Sequence, residues 1–493
     1  MNQISAMGDE QSLMSQQQKP HITVLSSPGM GHVTPLIELA RRLIVDHGFQ
    51  VTVLAITTDA PPAQVQLLNN PSLPSDLHVV HLPQVDVSST DSGDGPAGVV
   101  PRLLYIVQET LRSLRSVLIS LQRPLSRALI VDPFCIEALE TATDLSIPTY
   151  LFLTGSASFL ALTMYFPTIH AAQVGRDYSN IGDKVCIPGC KPLWLDDLVP
   201  ELLIPQLLNL SNRVPVLKGV LVNTWEELEP VTLSAFKENP FFLRVPSPPT
   251  YPIGPLTKID TEPVASTESN LLKWLEKQPP ESVVYVSFGS GGTLSAEQMT
   301  ELAFGLELSG KRFLWVARPP SQANASASFF ETGCDDARDP ASFLPDGFLD
   351  RTRELGVVTL SWAPQVAVLR HPSVAGFVTH CGWNSVLESI VHGVAMITWP
   401  LYAEQKMNAT MLVDEGVAVR IKKLQVEQDG KRIAGRREIE TAVRMVMEGE
   451  EGKRMRQRAR ELQSSAVSAL SHDGLSSGCL TRLGNKWRDG GTV

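Results

Sequence analysis

The chain of 493 residues is short of several things, and each shortage narrows what it can be. Cysteine is scarce: six residues, at Cys135, Cys186, Cys190, Cys334, Cys381 and Cys479, with no CxxC spacing. Cys186 and Cys190 are neighbours, but no second His/Cys pair follows to complete a zinc site, so reduced thiols and no metal are expected. Long apolar runs are missing too. No stretch approaches the about 18 residues that a membrane span needs. The first twenty residues are polar and rich in Met, Gln and Ser, which argues for a frayed, disordered tail rather than a signal peptide. Positive charge is in deficit: 42 Lys and Arg stand against 52 Asp and Glu, a net charge of −10. That balance disfavours a nucleic-acid partner. Two local basic runs, Lys431–Arg437 and Lys453–Arg460, read as solvated helix faces. With no export signal and no membrane span, a cytoplasmic monomer is expected.

What remains is an ordinary globular composition, 43% hydrophobic and 19% charged, in a chain long enough for two domains with separate cores. His21–Ser26 reads as a buried strand. A turn follows at Ser27–Gly31, then an amphipathic helix over Val33–Val45 and a second strand from Val51. Further strands are expected at Ala128–Val131, Thr149–Leu153 and Lys218–Asn223, with helical pattern between. This βαβ alternation predicts an α/β domain with a parallel sheet over residues 21–252. Tyr251–Asn270 is rich in Pro, Thr and Ser and reads as a linker, with the boundary itself at 253–270.

The pattern then restarts over 271–463. Strands are predicted at Ser282–Phe288, Arg312–Val316, Val357–Leu360, Gly376–Thr379 and Ala395–Thr398, with a helix over Ala296–Leu308. Pro319–Pro345 is too long for a simple connection and reads as a surface loop. Residues 464–493 carry helical pattern and are expected to pack back on the first domain. Two doubly wound, Rossmann-like domains would face each other with their strand C-termini at one cleft, where such sheets bind ligands.

Glycine turns follow the first strand of each half, at Gly29/Gly31 and at Gly289/Gly291/Gly292. The first invites comparison with the dinucleotide fingerprint, and Asp59 follows the next strand where an acid could hold a ribose. The third glycine of that fingerprint is replaced by Thr34, and His32 stands in the loop, so an NAD site is disfavoured. No GK[ST] follows either turn, so neither is a P-loop.

The most informative stretch is Trp362–Gln405, WAPQVAVLRHPSVAGFVTHCGWNSVLESIVHGVAMITWPLYAEQ. It opens on an aromatic and passes through His380, Gly382, Trp383, Asn384 and Ser385 to Glu388. It closes on Tyr402, Glu404 and Gln405. A flat ring can stack on a base, a hydroxyl and a helix start can hold a diphosphate, and acid and amide groups can hold sugar hydroxyls. The stretch resembles the plant secondary product signature of the family 1 UDP-dependent glycosyltransferases. So do SPGMGH (Ser27–His32), VD-x-F (Val131–Phe134), VNT-x-EELEP (Val222–Pro230), YPIGPL (Tyr251–Leu256) and YVSFGSGGTL (Tyr285–Leu294). The match covers nearly the whole chain and is nearest the hydroquinone or arbutin glucosyltransferase branch.

The resemblance implies two Rossmann-like domains around a cleft, the GT-B arrangement, and an inverting, metal-independent transfer from UDP-glucose to a small phenolic or other lipophilic hydroxyl. UDP-glucose is then a co-substrate, and no cofactor is implied. It casts His32 as general base and Asp132 as the acid that fixes its tautomer. Trp362 would stack on uracil, with Ala363 and Gln365 nearby. Ser290, His380, Asn384 and Ser385 would meet phosphate, and Glu388 the ribose hydroxyls. Trp383, Tyr402, Glu404 and Gln405 fall at the hexose end. Thr154 and Ser156 are candidates for sugar or phosphate contact, and Phe134 for the acceptor wall. Taken singly, several of these residues have plainer readings. Trp362 and Trp383 suit a core, Asn384 and Ser385 an N-cap, and Asp132 a strand-end turn. Two rival functions stand beside this one: an NAD-dependent oxidoreductase, and a noncatalytic UDP-sugar or phenolic-binding protein on the same fold.

Overall fold

The computed structural model describes residues 19–88, 99–121, 126–173, 184–194, 197–198, 204–258, 266–321, 339–360, 362–421, 425–426 and 432–489. Residues 1–18 of the expected tail, most of the Pro319–Pro345 insertion, residues 259–265 of the expected linker and Lys431 lie outside the described residues.

Two parallel sheets organise the chain. The first contains β1 (His21–Ser26), β2 (Gln50–Ala55), β3 (Leu77–His81), β4 (Ser126–Val131), β5 (Thr149–Leu153), β6 (Gly219–Val222) and β7 (Thr250–Pro252). Their order across the sheet is β3-β2-β1-β4-β5-β6-β7. The second contains β8 (Val283–Ser287), β9 (Arg312–Val316), β10 (Gly356–Thr359), β11 (Val374–Thr379), β12 (Ala395–Thr398) and β13 (Ala418–Arg420), in the order β10-β9-β8-β11-β12-β13. In each sheet the order reverses beside the first strand, at β1/β4 and at β8/β11. That switch point is where open α/β sheets leave a crevice for ligand. The central strands are buried on both faces, as continuous apolar runs such as Val283–Ser287 require.

Three strands of these two sheets escape the sequence reading: β3, β7 and β13. Tyr251 and Pro252 belong to β7, not to a linker, and pair in parallel with β6. Proline is tolerated there because β7 is an edge strand. The far end of the expected linker is also ordered, as the helix Ser266–Glu276.

Six helices set the functional geometry. α1 (Met30–Val45) follows β1, and α2 (Ala157–Gln173) follows β5. In the second domain, α3 (Ala296–Ser309) is capped by the Ser295 hydroxyl and ended by left-handed Gly310. After α4 (Gln365–Arg370) and β11 comes α5 (Trp383–Val391), and after β12 comes α6 (Gln405–Asp414). α1 begins earlier than its apolar periodicity indicates. Gly29, at φ 112°, caps it, so Met30, Gly31 and His32 form its first turn. His32 is therefore a helical residue and not a loop residue.

The C-terminal boundary also moves. Ser464 lies inside a long helix, α8 (Gly449–Leu470), which follows α7 (Arg436–Met447) and packs on the second domain through Leu462, Ala466 and Ala469. Only α9 (Leu475–Arg488) crosses back. Its Trp487 is 3% exposed and meets Phe49 and Tyr150 edge-on, at ring-centroid distances of 6.0 and 5.3 Å. The domains also exchange core residues. Trp225 and Leu228 fill the apolar cluster of the second domain, and Met407 fills that of the first. No helix among the described residues is long and apolar enough to cross a membrane.

Candidate active site

The first half of the site hangs on α1. His32 Nδ1 lies 3.5 Å from Asp132 Oδ2 and 3.4 Å from Thr154 Oγ1. Both distances exceed an ordinary N–H···O bond. The imidazole also meets the Phe134 ring at 5.2 Å between centroids. Asp132 is fully buried at the end of β4, where four donors reach its carboxylate. Oδ2 accepts from the Ser27 N–H at 2.6 Å and the Ser27 hydroxyl at 2.5 Å, and Oδ1 from the Phe134 and Cys135 N–H groups at 3.0 and 3.1 Å. Burial by itself would raise the Asp132 carboxyl. Hydrogen bonding and charge from His32, together with the Ser27 donors, outweigh it and hold the group below its usual range. Asp132 is thus an anion clamped in one orientation. The sequence pattern contained Ser27 but did not assign it.

Thr154 sits with His32, whereas Ser156 points elsewhere. Its hydroxyl accepts from the Phe159 N–H at 3.1 Å and meets Asn408 Oδ1 of the second domain at 3.4 Å. Ser156 is fully buried, so it caps α2 and joins the domains rather than facing a sugar.

The second half is built around His380. Its ring packs between two glycines. A Cβ on Gly289, itself at φ 76°, would lie 2.5 Å from the imidazole, and one on Gly382 would also collide with it. Side chains are excluded at both positions, and Gly289 additionally needs the left-handed region. Burial pushes the His380 imidazole down to about 4, so it is neutral at pH 7, and Nδ1 has no hydrogen-bond partner among the described residues. Gly382 then caps α5, whose first turn carries Trp383, Asn384 and Ser385. Ser290 follows Gly289 in the turn after β8.

Gln365, the first residue of α4, ties this turn together. Its Nε2 donates to Ser385 Oγ at 3.0 Å and to Glu388 Oε2 at 2.6 Å, while Oε1 accepts from the Tyr285 hydroxyl at 3.4 Å. Trp362 is 40% exposed beside buried Ala363. Trp383 departs from its expected place at the hexose. Its indole is 3% exposed within the second core, and Nε1 donates to the Asn223 carbonyl across the domain boundary at 2.8 Å. A ring so placed is a joint between domains.

At the start of α6, Gln405 Oε1 accepts from the Leu401 and Tyr402 N–H groups at 2.9 and 3.0 Å. Burial pushes the Tyr402 phenol up to about 12. Burial also raises the Glu404 carboxyl, partly offset by a backbone hydrogen bond, the charge of His32 and the Asn408 amide. Asn384 crosses the cleft, with Nδ2 donating to the Gly31 carbonyl at 3.1 Å. That carbonyl lies one turn before Pro35, which has no N–H to give it.

The family description "UDP-glucoronosyl and UDP-glucosyl transferase" matches residues 115–460. UDP-glycosyltransferase 72E1 of Arabidopsis thaliana is 42% identical, covering 92% of this chain and 93% of that protein. Hydroquinone glucosyltransferase of Rauvolfia serpentina is 39% identical, over 95% of this chain and 98% of that protein. The crystal structure of TcCGT1 in complex with UDP superposes with a TM-score of 0.86 at 42% identity, covering 96% of this chain and all of that one. The chain belongs to the family 1 UDP-dependent glycosyltransferases of plants, with their two-domain GT-B fold. It is a glycosyltransferase that uses a UDP-sugar as co-substrate.

Proposed function

We propose that the chain transfers glucose from UDP-glucose to the hydroxyl of a small phenolic or other lipophilic acceptor, with inversion and without metal. The observation that carries this reading is the hydrogen bond from Asn384 Nδ2, in the first turn of α5, to the carbonyl of Gly31, the residue before His32. A helix start suited to a diphosphate thus opens beside the candidate base.

Asp132 faces Nδ1 of His32, which favours the proton there and leaves Nε2 to accept one. Nε2 takes the acceptor's hydroxyl proton. The hydroxyl oxygen bonds to the anomeric carbon as the bond from that carbon to the phosphate oxygen breaks, and UDP leaves with the electron pair. One displacement inverts the centre. The leaving diphosphate would meet the N–H groups of the first turn of α5, with Ser385, Asn384, Ser290 and the unpaired Nδ1 of neutral His380 around it. Trp362, half exposed, suits stacking on uracil, and Ala363 lies beside it. Ribose hydroxyls would replace Gln365 as donors to Glu388 Oε2. Glu404 would accept from the hexose, and because Gln405 Oε1 is engaged by backbone, its Nε2 would donate. Tyr402 lies in the turn that precedes them, and Phe134, beside His32, suits an acceptor wall.

A hydroquinone-type acceptor is supported by the name of the Rauvolfia relative. A cytosolic, monomeric enzyme fits this small-molecule chemistry. The test is to incubate the purified protein and a metal chelator with UDP-glucose and hydroquinone, coniferyl alcohol or a flavonol, and weigh the products. A mass gain of one hexose on at least one phenol is expected. UDP-glucose binding without any glucoside would favour the noncatalytic reading instead.

A further inference from the structure

The two domains are joined by an ion pair that the sequence motifs do not include. Asp197, of the first domain, is 8% exposed at its side chain, and it holds Arg420 of the second in a two-pronged contact. Oδ2 accepts from Nη1 at 2.9 Å and Oδ1 from Nη2 at 2.8 Å. A paired, planar contact of this kind fixes orientation as well as distance. Arg420 ends β13, the edge strand of the second sheet. Its Nη1 also reaches Thr410 Oγ1 at 3.3 Å, and the Thr410 hydroxyl lies 3.4 Å from Asp197 Oδ2.

Thr410 stands on α6, the helix that Gln405 begins and Glu404 caps. The first domain grips this helix at two further points. Met407 is buried in the first domain's apolar cluster, and Asn408 Oδ1 meets the Ser156 hydroxyl. Asn408 in turn donates to the Cys381 carbonyl at 3.0 Å, next to His380. Residues 407, 408 and 410 thus form a continuous contact along α6. Asp197 lies in the stretch between the short strand Leu193–Trp194 and the helix Ile204–Arg213, on the acceptor's domain.

We propose that Asp197 is a positioning residue for sugar transfer: with Arg420 and Thr410 it forms an interdomain clamp that seats α6, and with it Glu404 and Gln405, against the half of the cleft that holds His32. The proposal rests on the reading of Glu404 and Gln405 as hexose residues. It separates the sugar end from the uridine end, whose residues lie on α4 and α5.

The experiment compares Asp197→Asn, Arg420→Gln and the charge-exchanged double variant D197R/R420D. Each single variant is expected to lower kcat/KM for glucose transfer about tenfold while the Kd of UDP, by calorimetry, stays within twofold. The double variant should recover at least a third of the wild-type value. In the full-length Asp197→Asn protein, backbone amides of residues 406–414 should exchange with deuterium at least fivefold faster, a readout that needs no turnover. If wild type transfers no glucose yet the exchange of α6 rises as stated, the function fails and the clamp stands. Wild-type transfer and wild-type exchange in both single variants would overturn the clamp. So would a loss of UDP affinity as large as the loss of transfer, or a double variant no better than either single one.

Discussion

At the scale of single residues, the site works by burial set against hydrogen bonding. Asp132 stays ionised in a dry place because four hydrogen-bond donors reach it and His32 stands beside it. His380 has no such support, and burial keeps it neutral. The consequence for stability has a definite sign. Below about pH 6.5 the unfolded chain binds a proton at His380 that the folded chain refuses until about pH 4. Stability is therefore fully present above pH 6.5 and declines as the pH falls toward 4, by up to about 3 kcal/mol from this residue. His47, His371 and His392 are shifted the same way by burial, so they add to the slope. In His380→Gln, the melting temperature should fall less steeply between pH 6.5 and 4 than in wild type; equal slopes would contradict the account. Glu388→Ala should raise KM for UDP-glucose about 10- to 150-fold, the equivalent of the roughly 1.5–3 kcal/mol of a charged hydrogen bond. An unchanged KM would remove Glu388 from the ribose site.

At the scale of elements, the strands that support the site were legible because their apolar runs are continuous and end shortly before glycine or proline. β1, β5, β9 and β12 lie where the pattern put them, within a residue. What the pattern could not show was set by neighbours distant in sequence. The early start of α1 depends on Gly29, whose N–H is held by buried Gln64 Oε1 at 2.8 Å, thirty-five residues away. Trp383 stands inside a motif that suggests sugar contact, but its N–H is claimed by Asn223. Edge strands β3, β7 and β13 are short and carry His, Pro or Arg, so they lack the buried-strand signal. The docking of α9 is testable at this scale. Trp487→Ala removes the ring that packs on Phe49 and Tyr150, and should cost about 3–5 kcal/mol of unfolding free energy in denaturant titration. A loss below about 1 kcal/mol would mean that α9 is not part of the first domain's core.

At the scale of the whole molecule, neither sheet carries a complete site. The first supplies an imidazole, a clamped carboxylate and Phe134. The second supplies a neutral histidine, a helix start, Glu388 and the Glu404–Gln405 turn. The contacts that join the halves run between residues far apart in the chain: Asn384 to Gly31, Trp383 to Asn223, and Arg420 to Asp197. Motifs made the individual half-sites legible, whereas these couplings needed coordinates. A division of labour between domains predicts that the base can be removed without disturbing the donor. The most direct measurement is therefore on His32→Ala, with kcat/KM for glucose transfer and the Kd of UDP determined on the same preparation. The account predicts a loss of transfer of about 10²–10⁴-fold, the usual contribution of a general base, with UDP affinity within twofold of wild type. Transfer close to the wild-type rate would contradict it.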